Sequence, residues 1–139
     1  CDKVDPAGDS APRAFRMRLD AHSCALGKAM LAHKSYEELK EIYKSYSLHK
    51  HTSNTITSLD KLYNELRKIK NIGYSINEAE TFDYVYGIGT AIIDSQKRAI
   101  AAISISGTKG SINVKTIPLL AKKVLETSSK ISSKLSNES

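Results

Sequence analysis

YVYGIGTAII at residues 84–93 and RAIAAISIS at residues 98–106 are the stretches that decide the fold. Each has the length of a strand and is rich in aromatic, β-branched or small residues. The four residues between them, Asp94-Ser95-Gln96-Lys97, have the composition of a turn. The segment therefore predicts two long antiparallel strands joined as a hairpin.

Alternation along these strands places small and polar residues on one face of each. Ser104 and Ser106 share a face of the second strand, about 7 Å apart, because side chains alternate between the two faces. Two hydroxyls at that spacing can bind a small polar ligand, but the same pattern suits a face open to solvent. Gly87 and Gly89 share a face of the first strand and leave a groove that either a closely packed helix or a ligand can fill.

Helical periodicity flanks the hairpin on both sides. In residues 24–34 the apolar positions approximate helical spacing, with Lys28 and Lys34 off that face. Ser35-Tyr36-Glu37-Glu38 has the pattern of a capping box and predicts the start of a second helix. A third helix opens at residues 57–60 and ends at Gly73, and residues 116–135 predict a terminal helix lying on the sheet.

Short extended segments complete the order of elements. Residues 1–5 and 14–19 read as strands that can pair as a hairpin across the loop 6–12, and residues 73–76 read as another short strand. The resulting order is β, β, α, α, α, β, β, β, α. It predicts an α+β fold with a mostly antiparallel sheet flanked by helices.

Length and composition favour one domain over residues 1–139, of which 40% are hydrophobic. No apolar run approaches the roughly 18–20 residues of a membrane span, so we expect no membrane partner. The two cysteines, Cys1 and Cys24, are too few for a disulfide framework and favour a cytoplasmic location. Because the chain starts at Cys1 without a methionine, we expect it to be one domain of a longer protein.

The formal net charge is +6, but its distribution does not favour nucleic acid as a partner of this domain. Lysines are interleaved with Glu and Asp along the helical segments, without a basic block or an alternation of aromatic residues with Arg. A solvated, lysine-rich surface is the preferred interpretation.

Few residues in the sequence are candidates for binding a ligand or a metal ion. The amides at the start of the helix in residues 24–28 suit a carboxylate, although an ordinary helix start has the same pattern. The pairs His22-x-Cys24 and His49-x-His51 lack a third ligand at a characteristic spacing. We therefore expect no metal and no cofactor, with His22 and Cys24 as the residues that would contribute if a metal did bind.

Catalysis has little support in the sequence. No nucleophile, general base and oxyanion set converges, so we expect that the domain is not an enzyme. Glu78, Glu80 and Asp83 form an acidic group between two predicted strands, where carboxylates usually face solvent.

Several motifs, in order, resemble those of the IclR-type transcriptional regulators. The run ALGKAMLA at residues 25–32 resembles the family signature ALGKALLA. The resemblance continues through the following segments: residues 35–39, 52–57, 62–66 and 69–75, Glu80, and residues 101–107. Each motif is short, but their order and spacing over about residues 14–135 are specific for the C-terminal effector-binding domain of that family.

The resemblance implies a GAF-like or profilin-like fold and a ligand site between the sheet and the helix that carries ALGKA. Mapped onto this sequence, the expected ligand-binding residues are Ala25, Leu26, Met30, Asn77, Val85, Gly87, Ser104 and Ser106. The chain departs from the pattern at three positions: Asn77 stands where many members have Asp, Tyr84 where they have Gly, and Gly87 where they have Cys. These changes alter the charge and shape of the expected site.

The resemblance also implies a function. A small organic acid would be sensed by this domain, which would form a homodimer or homotetramer and control an N-terminal winged helix-turn-helix that is absent from this chain. DNA would be a partner only through that absent domain. The alternative is a stand-alone GAF-like module that binds a small molecule, or an enzyme domain.

Overall fold

The computed structural model describes residues 17–138 and the backbone of one strand before them. The elements are β1 (Asp2–Lys3), β2 (Met17–Arg18), α1 (Ala25–Leu31), α2 (Tyr36–Ser45), α3 (Leu59–Ile72), β3 (Ser75–Glu78), β4 (Tyr86–Ile93), β5 (Ala99–Gly107) and α4 (Ile117–Glu138), with a short 3-10 turn at Ala21–Ser23. This order confirms the predicted α+β class. The loop predicted at residues 6–12 lies outside the described residues.

The strands form two antiparallel sheets. The short β1 and β2 pair with each other, and the larger sheet has the order β3-β4-β5. In the predicted hairpin of β4 and β5, Gly87 lies opposite Ser106 and Gly89 opposite Ser104. The Asp94 carboxylate shapes the turn by accepting 2.9 Å hydrogen bonds from the backbone amides of Gln96 and Arg98.

Helix α4 covers one face of the larger sheet. Ile88 and Val124 are buried in the core between them, together with Ile112 from the connection that precedes α4. With 22 residues α4 is the longest described helix. Neither α4 nor any other helix in the described part of the chain is long and apolar enough to cross a bilayer.

Helix α1 lies against the opposite face of the same sheet, and α2 and α3 pack behind it. Leu31 at the end of α1 shares a buried core with Leu39 of α2 and with Leu62 and Leu66 of α3. Since residues alternate along β4, Ile88 faces α4 while Gly87 and Gly89 face α1. The sheet is therefore the middle layer, with helices on both sides.

The helix ends form as their sequences predict. The Ser35 hydroxyl accepts from the Glu38 amide, and the Glu38 carboxylate accepts from the Ser35 amide, which completes the capping box. Ser58 caps α3, and Gly73 ends it with φ at 91°, a left-handed conformation that favours glycine.

One prediction about charged residues is wrong. Glu80 is expected to face solvent but is only 5% exposed, and Lys28, although it lies off the apolar stripe of its helix as predicted, is only 1% exposed. The reason is that each provides the other's counterion inside the protein. Lys34, Glu78 and Asp83 are exposed, as their positions predict.

Candidate functional site

A cavity of about 500 Å³ lies between the start of α1 and the α1-facing side of β4 and β5. It is lined by Met17, Leu19, Cys24, Ala25, Leu26, Asn77, Thr81, Phe82, Tyr84, Val85, Gly87, Ser104 and Ser106. None of these thirteen described residues is charged. The cavity is thus apolar with a few polar groups, which is the usual composition of a small-molecule site.

The two glycines of β4 have different roles at this face. A Cβ atom on Gly89 would lie 2.9 Å from the backbone oxygen of Ala25, so this position must be glycine for α1 to pack closely. A Cβ atom on Gly87 would lie 3.5 Å from the Ala25 Cβ atom, at ordinary contact distance. The helix therefore fills the groove at Gly89, while the groove stays open at Gly87 and forms part of the cavity.

The polar side of the cavity comes from β3 and β5. Ser104 and Ser106 project from β5, opposite the two glycines. Asn77 of β3 is buried, and its Oδ1 atom accepts a 3.0 Å hydrogen bond from the Glu80 amide. The Nδ2 atom of the same amide group is a hydrogen-bond donor.

Ala25 and Leu26, at the start of α1, also line the cavity. The amides of Ala25 and Leu26 have no partner within the helix, because they belong to its first turn. The Cys24 sulfur caps the helix by accepting from the Gly27 amide at 3.4 Å. Burial raises the pKa of the Cys24 thiol, so at neutral pH it is a neutral capping group and not a thiolate nucleophile.

Two aromatic residues, Phe82 and Tyr84, are among the residues that line the cavity. The rings of Phe82 and Tyr84 stack with centroids 6.1 Å apart. Tyr84 is 70% exposed, so most of its ring lies in solvent and not within the cavity. Val85 is a further apolar residue of the lining.

The structure brings seven of the eight expected ligand-binding residues to one cavity: Ala25, Leu26, Asn77, Val85, Gly87, Ser104 and Ser106. Met30 is not among them. It lies one turn further along α1 and lines a different cavity, of about 760 Å³, beside basic side chains such as Lys70 and Arg98. Whether a ligand contacts the seven stays a prediction.

Sequence reasoning missed Met17, Leu19, Thr81 and Phe82 as lining residues. Thr81 and Phe82 lie in the irregular connection between β3 and β4, where no periodicity shows which side chains point inward. Met17 and Leu19 lie two positions apart in a predicted strand and therefore share a face. That pattern could not show which element the face packs against.

A buried ion pair between Lys28 and Glu80 stabilises the connection that precedes the lining residues Thr81 and Phe82. The Lys28 ammonium donates to both carboxylate oxygens of Glu80, each at 2.9 Å, and to the Ile76 carbonyl at 2.6 Å. Thr52 and Thr55 donate 2.6 Å hydrogen bonds to the carbonyls of residues 79 and 80. These contacts fix the connection that carries Thr81, Phe82 and Tyr84 to the cavity.

One group of described side chains has the composition of a metal site. It consists of Asp20, His22 and His51 and lies outside the cavity. Cys24, which the sequence paired with His22, is not part of it.

Residues 14–133 match a protein family that is described as "Bacterial transcriptional regulator IclR C-terminal". The chain belongs to this family. Three similar proteins illustrate the relationship. The transcriptional repressor AllR of Klebsiella pneumoniae is 32% identical over 118 residues, which are 85% of this chain and 43% of AllR. The chain therefore spans less than half the length of that relative.

Solved structures show the same fold. The Thermotoga maritima IclR structure superposes with a TM-score of 0.83 at 34% identity, covering 92% of this chain and 53% of that one. The inducer-binding domain of PobR from Acinetobacter, in complex with 3-hydroxybenzoic acid, gives 0.75 at 23% identity and covers 90% and 76%. The latter likeness concerns the fold alone. Both structures confirm the expected fold class.

Family membership explains why the weak motifs occur together. The lysine of ALGKA, the threonines of residues 52–57 and Glu80 are distant in sequence but form the one buried network described above. The serines of residues 101–107 and the first residues of ALGKA line the cavity. These motifs therefore contribute either to the cavity or to the buried network beside it.

Proposed function

We propose that this chain is the effector-binding domain of a transcriptional regulator and that it binds a small organic acid in the cavity between α1 and the sheet. The observation that carries the proposal is that Ser104, Ser106, Asn77 and the first-turn residues Ala25 and Leu26 of α1 all line one largely apolar cavity of about 500 Å³. A PobR variant complex shows that a domain of this fold can hold an organic acid.

The polarity of the lining favours one carboxylate and a compact apolar body. A carboxylate removed from water needs hydrogen-bond donors, which the hydroxyls of Ser104 and Ser106 and the amides of Ala25 and Leu26 supply. Because no Lys or Arg is among the described lining residues, a molecule with several negative charges would be poorly compensated. The apolar part of the ligand would contact Val85 and Phe82.

Regulation requires a difference in affinity between two states of the protein. Bound effector can shift an equilibrium only as far as it prefers one state. We propose that the two states differ in how copies of the domain associate, as a homodimer or homotetramer, and that DNA is bound by a separate N-terminal winged helix-turn-helix. A regulator of this kind acts where the DNA is, in the cytoplasm. We infer no catalytic role, since AllR, a curated relative, is a repressor.

A thermal-shift screen of small carboxylates tests the site. A ligand at 100 times its Kd stabilises the protein that binds it by about 2.7 kcal/mol. We expect a hit with the wild-type chain and a much smaller shift with the double variant Ser104→Ala/Ser106→Ala.

The matched control is Ser129→Ala/Ser133→Ala, which changes two exposed serines of α4. It should respond as the wild type does. Equal stabilisation of the wild type and the cavity variant would remove Ser104 and Ser106 from the binding site. For the parent protein, the sequence encoded before Cys1 should form a winged helix, and a different domain there would favour a stand-alone binding module.

A further inference from the structure

A second polar cluster lies where the segment before α1 meets the loop between α2 and α3. One carboxylate oxygen of Asp20 and one ring nitrogen each of His22 and His51 lie within 4.8 Å of one another. The Nε2 atom of His51 is 2.8 Å from Asp20 Oδ2. None of the three residues lines the proposed effector cavity, so the cluster is a separate feature.

The environment of His22 fixes which of its nitrogens carries the proton. Its Nε2 atom lies 2.9 Å from the His49 carbonyl oxygen. A carbonyl can only accept, so Nε2 carries the hydrogen, and in the neutral ring Nδ1 keeps its lone pair. A histidine that donates one N–H to a backbone carbonyl and keeps the other nitrogen free is the arrangement found around metal-bound histidines.

The His22 ring is also held in place. It is 1% exposed and packs edge-on against the Tyr43 ring, with centroids 6.3 Å apart. The His51 ring lies on another side, at 6.2 Å. A ligand with so little freedom loses little conformational entropy when it binds an ion.

The other two groups face the solvent. The side chains of His51 and Asp20 are 33% and 43% exposed, so an ion can reach them without unfolding. The backbone of His51 is anchored nevertheless, because its amide donates to the Thr55 hydroxyl at 3.0 Å. The cluster therefore combines one fixed inner ligand with two accessible outer ligands.

We propose that Asp20, His22 and His51 bind a divalent transition-metal ion, with Zn²⁺ as the best fit. Two imidazoles and one carboxylate suit Zn²⁺, whereas Mg²⁺ and Ca²⁺ prefer oxygen ligands alone. Bonds of about 2.0–2.1 Å in a tetrahedron place ligand atoms about 3.3 Å apart, so small side-chain movements would close the cluster around the ion. Water would occupy the fourth position. This departs from the sequence-based expectation of no metal.

The ion would link two segments that border the functional site. His22 is followed directly by Ser23, whose hydroxyl lies 2.8 Å from that of Thr81, and by the Cys24 cap of α1. His51 belongs to the loop whose threonines hold the residue 79–80 connection. Metal binding would therefore stabilise the folded chain, because the site is not formed in the unfolded state.

Calorimetric titration of ZnCl₂ into the untagged, chelator-treated 139-residue chain tests the proposal. We expect one Zn²⁺ per chain and a rise in the melting temperature. His51→Gln and Asp20→Asn alter exposed side chains, so both variants should fold. Each should weaken Zn²⁺ binding at least about tenfold. The Co²⁺ form of the wild type should show the intense visible absorption of a four-coordinate site.

His33→Gln is the matched control, because it removes a partly exposed histidine that lies beside Lys70 and outside the cluster. It should bind Zn²⁺ as the wild type does. The proposal is overturned if the wild type does not bind Zn²⁺, if His33→Gln weakens binding as much as His51→Gln, or if the two cluster variants bind with unchanged affinity.

Discussion

The ammonium group of Lys28 lies 2.9 Å from both carboxylate oxygens of Glu80 in the interior of the domain. The Lys28 side chain is 2% exposed and that of Glu80 is 6% exposed. Glu80 Oε2 also accepts from the Glu78 amide at 3.0 Å, and the Ile76 carbonyl accepts from Lys28. Two buried charges with satisfied hydrogen bonds thus join α1 to the connection after β3.

Removal of one partner of this pair should be strongly destabilising. Glu80→Gln leaves the Lys28 cation buried without its main counterion, and Lys28→Met leaves the Glu80 carboxylate likewise. Each should lower the free energy of unfolding by about 3–5 kcal/mol in urea denaturation. The double variant should lose less than the sum of the two, since neither charge is then isolated.

Glu41→Gln is the matched control, because Glu41 pairs with Lys44 at the same 2.9 Å distance on the exposed surface of α2. Its effect should be about 0.5 kcal/mol or less. Equal losses for Glu41→Gln and Glu80→Gln would contradict the importance assigned to burial.

The position of Lys28 shows where sequence reasoning fails. Helical periodicity places a charged residue outside the apolar stripe, and Lys28 does lie off the stripe formed by Ala29 and Ala32. The helix is nevertheless covered on that side too, by the connection after β3. Only the tertiary arrangement brings Glu80 to Lys28, across 52 positions of sequence.

The two glycines of β4 should respond differently to the same substitution. Gly87→Ala adds a methyl group at ordinary contact distance, so the fold should keep its stability or gain about 0.5 kcal/mol from a less flexible unfolded chain. The methyl group would enter the proposed effector cavity and should reduce the ligand-dependent thermal shift. Urea denaturation and the carboxylate screen measure the two effects.

Gly89→Ala provides the comparison two residues along the same face. Its methyl group would lie 2.9 Å from the Ala25 oxygen and 3.0 Å from the Ala25 carbonyl carbon, so α1 would have to move away from the sheet. A loss of about 1–3 kcal/mol is expected. If Gly89→Ala were as stable as Gly87→Ala, the close approach of α1 to the sheet would be wrong.

Thr55 should be more important for stability than its size indicates. Its hydroxyl donates to the Glu80 carbonyl at 2.6 Å and accepts from the amides of Thr52 and His51, at 2.9 and 3.0 Å. Thr55→Val keeps the shape but leaves these groups without partners, so a loss of about 2–3 kcal/mol is expected. Thr57→Val, at an exposed position, should change stability little; a similar loss there would contradict the role given to Thr55.

Local sequence signals were sufficient to predict where several helices begin or end and where the hairpin turns. The capping box at Ser35, the left-handed Gly73 and the turn at Asp94 are each determined by a few neighbouring residues, so their positions could be predicted. The cavity could be predicted only in part. Strand alternation places Ser104 and Gly87 on a face, but a lining residue such as Phe82 depends on how an irregular connection folds over that face.

The pH dependence of stability should include a contribution from His33. Burial, and then the Lys70 ammonium, lower the pKa of His33 below its ordinary value. The Nδ1 atom of His33 lies 2.9 Å from the Lys70 nitrogen, which can only donate, so the neutral ring accepts this hydrogen bond and the protonated ring cannot. As pH falls below about 6.5, the unfolded chain takes up this proton before the folded chain does.

This stabilising contribution is therefore fully present above the unfolded-state pKa of His33 and is lost as pH falls toward the lower folded-state pKa. Between pH 7.5 and 5.5 the free energy of unfolding should decrease less steeply for His33→Gln than for the wild type. An NMR titration of the His33 ring protons should give a pKa below about 6.5. In Lys70→Gln the pKa should rise but stay below the ordinary value, because burial of the ring remains. A His33 ring that titrates at or above that value in the wild type would show that neither burial nor Lys70 acts on it as the contacts indicate.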